Sequence, residues 1–502
     1  MRSRWTAALS AFAMLAFAMF VMAGLAPSVR AADDNTQAQL KAMQDRMQAM
    51  EDQLQAANKR VDEQNDVIQR AGLAETRGSS SGLPGFLGSI DIGGWVAASY
   101  LYNVNDPNDN KNTCNGGNFP GCSIDPSFEG TGNGLGNTNQ GANGKFYPLH
   151  PDHNSFSLDQ LWFSIERKIS EENRAGFKAD ILYGTTAGLL PGSSFNGNRS
   201  NRDSTTSFYV QQAYIQYLAP IGSGITLKAG KFETPIGVEV AETIYNWNIT
   251  RGALWTLIEP INHVGAQIGG PIGDSGFDWM VGGVNGFNPD SPDRNDGKSV
   301  IGHLGWSNKT FTVSTNAIWG PEITGNDGHQ SGVANAYVKW NPSERFGMYL
   351  NGDYAWINAD GGNPSAWGLS LAGRFGITDR TGVALRAEYV VDHNQFFGFQ
   401  SCGGSLGYTV SGTANCTGDS GVSHTATGVE MYGLTMTLDH LLTDQLMVRG
   451  EARYDWLSKD QGKDSEFFQN GRYDIASSKN MPNDQIVVGV ELIYNFNKFG
   501  AQ

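Results

Sequence analysis

From Ile90 onward the chain alternates apolar and polar residues with a period of two, a pattern that a strand with two unlike faces presents and a helix does not. Near the C-terminus Ile486, Val488, Val490, Leu492, Tyr494 and Phe496 take one side, and Gly489, Glu491 and Asn495 fall on the other. The same register recurs upstream. Leu446, Val448, Gly450, Ala452, Tyr454 and Trp456 stand against Arg449, Glu451, Arg453 and Asp455, and Val383, Leu385, Ala387 and Tyr389 against Arg386 and Glu388. A soluble β-sandwich would turn its charged face to water outside and use shorter strands. An apolar face ending in Tyr454 with Trp456, or Tyr494 with Phe496, fits a membrane barrel with interfacial aromatic girdles.

Sixteen such segments can be counted, starting near Ile90, Ser155, Ala175, Ser207, Ile225, His263, Phe277, Ser299, Thr310, Gly332, Phe346, Pro364, Thr381, Thr427, Gln445 and Gln485. Short turns are expected at 168–173, 220–224, 271–276, 307–309, 341–345, 376–380 and 439–444, and the connections between them are mostly far longer. Short and long alternate throughout. The expected fold is therefore all-β, a 16-stranded antiparallel transmembrane barrel over 90–502, with short periplasmic turns, long outer loops and both ends on the periplasmic side. Composition agrees: Gly fills 64 of 502 positions, about twice ordinary usage. A mean hydropathy of -0.35 argues against a bundle of membrane-spanning helices.

The N-terminus points to export. Arg2 and Arg4 precede an apolar stretch, and Val29-Arg30-Ala31 supplies small residues for cleavage, so 1–31 reads as a signal peptide. A retained anchor is the alternative. Cleavage removes three arginines and leaves 32 basic against 50 acidic residues, near -18, which excludes a nucleic-acid partner. In 32–72, Leu40, Met47, Leu54, Val61 and Ile68 share one heptad position, and Met43, Met50, Ala57, Gln64 and Ala71 the other. That spacing predicts a periplasmic coiled coil joining copies of the chain, followed by a flexible linker at 73–89. An amphipathic helix lying on another surface is the competing reading. A docked periplasmic or cell-wall partner is a further use for such a stalk.

Sixteen strands enclose an aqueous lumen. The third long connection, 233–260, differs from the other loops: it is poor in Gly and carries Ile236, Val238, Ile244, Trp247, Leu254, Trp255, Leu257 and Ile258. Such a loop is expected to pack inward and narrow the pore, bringing Glu239, Glu242, Asn246, Asn248 and Arg251 into the lumen. The alternative places it outside, on a neighbouring protomer. The expected inward wall charges are Lys178, Lys228, Arg374, Arg386, Arg449 and Arg453 against Glu166, Asp180, Glu388, Glu451, Asp455 and Glu491. They balance. Either Arg386, Arg449 and Arg453 form a basic ladder across the pore from Glu239 and Glu242, or neighbouring Arg and Glu satisfy one another.

The pairs Cys114 with Cys122 and Cys402 with Cys416 each lie within one long loop and read as disulfides of an oxidising compartment. Asp106, Asp109, Asp290, Asp293 and Asp296 offer oxygen ligands of the kind calcium uses, but match no calcium-loop spacing and read as solvated loop. No metal, cofactor or catalytic set is expected. The eight histidines are scattered, and no Ser-His or Asp-His motif surrounds them.

The stretch LKAGKFETPIGVEV (227–240) is followed by NWNITRGALW (246–255) and EPINHVGAQIG (259–269). It resembles the OmpL-like beta-barrel porin-2 family, whose pattern GKF-x-TP-x-G-x-E, N-x-x-x-[ST]-R, P-x-x-H-x-G falls on Gly230, Lys231, Phe232, Thr234, Pro235, Gly237 and Glu239, then Asn246, Thr250 and Arg251, then Pro260, His263 and Gly265. The resemblance is dense over 154–270 and looser beyond. It implies a Gram-negative outer-membrane pore without naming a solute, and the stalk is similar to that of trimeric porins, which implies a homotrimer in outer-membrane lipid. Two departures from the pattern are the cysteine loops and the six residues after Phe496. The expected function is passive diffusion of small hydrophilic solutes or ions. The alternatives are a channel preferring carboxylates, sugars or aromatics, with Trp247 and Trp255 as stacking surface and the three arginines as carboxylate holders, and a structural scaffold.

Overall fold

The computed structural model describes residues 88–104, 154–190, 208–287, 295–323, 326–358, 365–393, 430–458, 484–497 and 499. The expected signal peptide and coiled coil, the four cysteines, and Asp106, Asp109, Asp290 and Asp293 lie outside the described residues. Sixteen strands follow in order: β1 Asp91–Asn103, β2 Ser155–Arg167, β3 Ala175–Tyr183, β4 Phe208–Ala219, β5 Ile225–Glu233, β6 Asn262–Pro271, β7 Phe277–Val284 and β8 Ser299–Ser307 form the first half. The second half is β9 Phe311–Ile323, β10 Asn326–Ser343, β11 Phe346–Ile357, β12 Ser365–Gly376, β13 Thr381–His393, β14 Glu430–Leu441, β15 Leu446–Leu457 and β16 Asp484–Asn495. Each pairs antiparallel with its sequence neighbours, and β1 pairs with β16, from Trp95 opposite Asn495 to Asn103 opposite Val487. The sheet is a closed barrel. Closure matters physically because hydrocarbon offers no partner to an unpaired strand edge.

Alternation fixes which face is which. On β16, Val490, Leu492 and Tyr494 are exposed on the outer surface, while Gln485, Val487, Gly489, Glu491, Ile493 and Asn495 are buried on the inner one. Aromatics collect at both ends of that outer surface. At the turn end, Phe311 stacks on Trp340, Trp340 meets Phe346 edge-on and Phe163 meets Phe496. At the loop end, Tyr432 stacks on Trp456, Trp456 on Tyr454, and Tyr389 packs against both Trp367 and Tyr432. Two girdles a strand-length apart are what two membrane–water interfaces select.

The structure corrects the connections at one place. β10 begins at Asn326, six residues before the expected Gly332, and only residues 324–325 separate it from β9. The alternation of short turns with long loops therefore fails at β9–β10. Both strands run on with irregular register between Asn326 and Gln330, because polar residues there satisfy a hydrogen-bonded ribbon as well as a loop. Asp439, expected in a turn, belongs to β14.

Two irregularities re-aim side chains toward the lumen. The register slips between Ala97 and Ala98 on β1 against β2, and between Asp180 and Ile181 on β3 against β4. Opposite these slips the adjacent residues Asp159 and Gln160, and Gln211 and Gln212, are all buried, breaking the period of two. On β5, Gly230 has φ +132°, and a Cβ there would lie 2.3 Å from the Ala213 carbonyl oxygen. A side chain at 230 therefore collides with the neighbouring strand. Gly230→Ala is expected to lower the fraction of the fast-migrating, unheated form in a heat-modifiability gel, whereas Gly283→Ala, where a Cβ meets nothing within 4 Å, leaves that fraction unchanged.

Candidate functional site

Between β5 and β6 the chain turns into the barrel. Segment 234–261 carries a 3-10 turn, Thr243–Tyr245, and a one-turn helix, Ala253–Leu257, and many of its apolar residues are buried against the wall. Ile236, Leu254 and Ile258 join Val284, Ile301, Ile318, Val333, Ala355 and Val390 of the inner wall. Ala241, Trp255 and Ile261 join Trp95, Trp162, Leu182 and Tyr209 on the opposite side. Trp95 and Trp162 stack with centroids 4.8 Å apart, and Tyr245 meets Trp95 edge-on.

The polar groups of the segment bind the wall just as closely. Glu451 on β15 accepts the backbone N–H of Ile249 at 2.5 Å and of Thr250 at 3.0 Å, and the hydroxyls of Thr250 at 2.5 Å and Thr437 at 2.7 Å. Glu388 on β13 accepts the N–H of Ala253 at 2.7 Å. Gln160 on β2 donates to the Ala241 carbonyl at 2.7 Å and accepts from the Thr243 N–H at 3.1 Å. Asn248 donates to Thr437 at 2.7 Å, and Asn351 on β11 donates to Glu259 at 2.7 Å. Wall carboxylates and amides thus supply partners that an irregular backbone lacks on its own.

The arginines complete the seam. Arg386 pairs with Glu239 at 2.5 Å and Glu388 at 3.0 Å, and donates to the Thr250 carbonyl at 2.8 Å. Arg449 pairs with Glu491 and donates to the Asn246 carbonyl at 2.7 Å and the Thr243 hydroxyl at 2.6 Å. Arg453 pairs with Asp455 at 2.8 Å and donates to the Arg251 carbonyl at 2.6 Å. All three are buried, Arg386 completely. The ladder facing Glu239 and Glu242 across open lumen is therefore not what forms. Arg386 touches Glu239, since a guanidinium stripped of water needs contact with its counter-charge. Of the other expected residues, Glu239 also accepts the Gly252 N–H at 2.6 Å, and Asn246 holds the Val240 and Glu242 carbonyls. Arg251 turns back to the carbonyls of Val240, Ala241 and Ile249. Trp255 is buried beside Arg251 and offers no free stacking face.

Two carboxylates of the segment sit against other acids. Glu242 is pushed well above the ordinary carboxylate range by burial, and secondarily by Glu233. Glu259 is raised likewise by burial and then by Asp353 on β11, and it lies so tightly under Gly237, at φ +88°, that a Cβ there would meet its carboxylate. Burial, helped by the nearby Arg449 charge and opposed by Glu239, lowers Arg251 to about 10, which leaves it cationic at neutral pH.

The rest of the inner wall is polar and more open. Arg374 makes a two-toothed contact with Asp439 at 3.0 and 2.6 Å. Lys178 pairs with Asp180 at 3.2 Å. Lys228 lies 4.4 Å from the Tyr214 ring centroid. Across β7 to β11 runs a chain of side chains: His303 bridges Asp278 at 2.8 Å and Asn316 at 2.7 Å, Asn316 donates to Asn335 at 2.7 Å, and Asn335 to Asn351 at 2.7 Å. These asparagines, with Glu259, Asp353, Asp439 and Lys339, were not singled out from the sequence. Period-two spacing of Asn335, Tyr337 and Lys339 against Ala334, Ala336 and Val338 was the available signal.

The comparisons with known proteins bear on the whole described barrel. Among solved structures, the chain is similar to OmpT, an outer membrane protein of Vibrio cholerae, at 8% identity with a TM-score of 0.44, over 84% of this chain and 100% of that one. It is also similar to the outer membrane channel DcaP of Acinetobacter baumannii, at 9% identity and TM-score 0.46, over 81% and 97%. A third is the anion-selective porin from Comamonas acidovorans, at 11% and 0.45, over 81% and 99%. A search of curated proteins finds no match. The profile of the family described as "Putative beta-barrel porin-2, OmpL-like" matches residues 89–496, well over half of the sequence and the whole of the closed sheet. The chain belongs to this family of outer-membrane barrel porins.

Proposed function

We propose that the protein is a passive diffusion channel for small hydrophilic solutes and ions, with its bore set by segment 234–261. The observation that carries this reading is the fastening of that segment to the wall by Glu451, Glu388, Arg386, Arg449 and Arg453. A loop bonded to inward-facing residues of β13–β15 occupies cross-section that water would otherwise fill. The remaining passage runs beside the polar wall that includes Lys228, His303, Asn316 and Lys339. With the arginines consumed in the seam, mobile ions meet lysines and half-exposed Asp278 instead. No step of the function calls for a cofactor or for catalysis.

We propose further roles for residues 1–72 and for the two cysteine pairs, all outside the described residues. Residues 1–31 act as the export signal, 32–72 as a coiled coil that gathers three copies on the periplasmic side, and Cys114–Cys122 and Cys402–Cys416 as disulfides within outer loops. Deleting residues 32–78 separates the channel reading from that of a scaffold, since a pore conducts without its stalk as long as trimers persist.

Planar-bilayer conductance of the purified mature protein tests the channel directly: stepwise openings are expected, and a folded, heat-modifiable barrel that passes no current would sink the reading. Lys228→Gln together with Lys339→Gln is expected to move the reversal potential in a salt gradient toward cation preference, whereas an unmoved potential would remove the lysines from the ion path. Glu451→Ala leaves two backbone N–H groups without partners, at a cost of about 3 kcal/mol, and is expected to give larger, noisier unit currents.

A pH dependence follows from the buried acids. Glu242 and Glu259 hold a proton more tightly when the segment is docked than when it is released. Docking is then fully supported below the ordinary carboxylate pKa of about 4.3, and weakens as pH rises from there toward the raised values. Current flicker is expected to be more frequent at pH 8 than at pH 5. The double substitution Glu242→Gln and Glu259→Gln is expected to flatten that difference.

A further inference from the structure

On the wall beside the segment, β10 and β11 bring three side chains, Tyr337, Lys339 and Tyr349, next to Trp247 of the segment. Lys339 lies directly opposite Tyr349 in the β10–β11 register, so the two are cross-strand neighbours on the inner face. The Lys339 ammonium sits 5.2 Å from the centroid of the Tyr337 ring. Tyr349 in turn stacks on Trp247 of the inward segment, with centroids 5.5 Å apart and planes at 28°. Gly347 lies close by: a Cβ there would meet the Asn341 side-chain oxygen at 2.5 Å and the indole edge at 3.2 Å. The indole is thus held in one place from both strand and loop, and it stays half-buried.

The contrast between Lys339 and the arginines decides the chemistry. Arg386, Arg449 and Arg453 each have a carboxylate and a carbonyl in contact. Among the described residues, Lys339 has neither an ion pair nor a hydrogen bond, only the tyrosine face. A cation resting on an aromatic ring keeps its charge available to a passing anion. A flat aromatic pair one residue away favours a ring offset over it. An uncharged sugar would leave the ammonium unused, and an aliphatic acid would leave the indole unused. Lys228 and Lys231 also lie over tyrosine rings, those of Tyr214 and Tyr209, but their cross-strand neighbours, Gln216 and Gln267 for Lys228 and Ala213 and Val264 for Lys231, are not aromatic.

Resting on the channel reading above, we infer that Trp247, Tyr349, Tyr337 and Lys339 form a binding subsite in the pore for small aromatic carboxylates. The carboxylate meets the Lys339 ammonium and the ring lies against Trp247. Solute preference thus resides in one lysine and one indole at the edge of the inward segment.

Single-channel current through the full mature protein tests this with benzoate as blocker, cyclohexanecarboxylate as the acid without a π-face and benzyl alcohol as the ring without charge. Benzoate is expected to half-block at a concentration at least five-fold lower than either control. Lys339→Gln and Trp247→Leu should each raise that concentration at least five-fold, and Trp247→Phe should recover most of the loss. Equal block by benzoate and cyclohexanecarboxylate, or a benzoate block indifferent to Lys339→Gln, would overturn the subsite. Should Trp247→Leu disturb the segment itself, Lys339→Gln, which removes no contact of the segment, decides alone. A wild-type barrel that passes no current removes the channel reading, a result distinct from a conducting channel indifferent to benzoate, which removes the subsite only.

Discussion

Glu451 is the point on which the interior of this barrel turns. Its two oxygens take two backbone N–H groups and two hydroxyls, so residues 249 and 250 cannot leave the wall without stranding a buried carboxylate. Around it the arrangement is reciprocal: wall acids receive the N–H groups of the segment, and wall arginines donate to its carbonyls. An irregular stretch of chain inside a barrel has the same unmet backbone groups as a helix end, and here β13–β15 meet them with ionised side chains. The charged inner face of these late strands is in this sense a template for the segment.

That use of charge changes what the lumen offers to a solute. Taking a guanidinium out of water is costly unless acids and carbonyls surround it, and Arg386, Arg449 and Arg453 are surrounded. A cation so engaged has little attraction left for mobile ions. Lys228 and Lys339 rest on tyrosine rings instead, which hold an ammonium in place without neutralising it. The overall charge of the chain is therefore a poor guide to its selectivity, which depends on the few charges that remain uncompensated at the water-filled wall.

Most of the barrel was legible in the sequence because its signal is local. Alternation on Leu446–Leu457 or Asp484–Asn495 repeats within a dozen residues, and the lipid-facing half of each strand has no choice but to be apolar. Strand starts read from alternation fall within a few residues of those observed, except at β10, where Asn326 to Gln330 carry no apolar member to mark the strand. The segment announced itself through Trp247, Leu254, Trp255 and Ile258, which a solvated loop does not need. The partners of its charges were not legible. Arg386 reaches Glu239 across 147 positions, and Arg449 reaches the Asn246 carbonyl across 203, separations over which no periodicity carries information. Asn316, Asn335 and Asn351 look like ordinary strand polars one at a time, and become a continuous chain only when three strands are brought into register.

The glycines of the family pattern make sense in the same terms. Gly230 leaves space for the neighbouring strand at the mouth of the segment, and Gly237 leaves space for Glu259 at its base. Glu259 reaches β11, where Asn351 holds it and Asp353 faces it. Fixing the two ends of the segment therefore depends on the absence of side chains as much as on their presence. The charged seam between those ends sets where the middle lies, and the two acid neighbours leave the docked position sensitive to protons. A constriction built this way is rigid in register and adjustable in strength, because its backbone partners are fixed by the sheet while its buried acids answer to the solution.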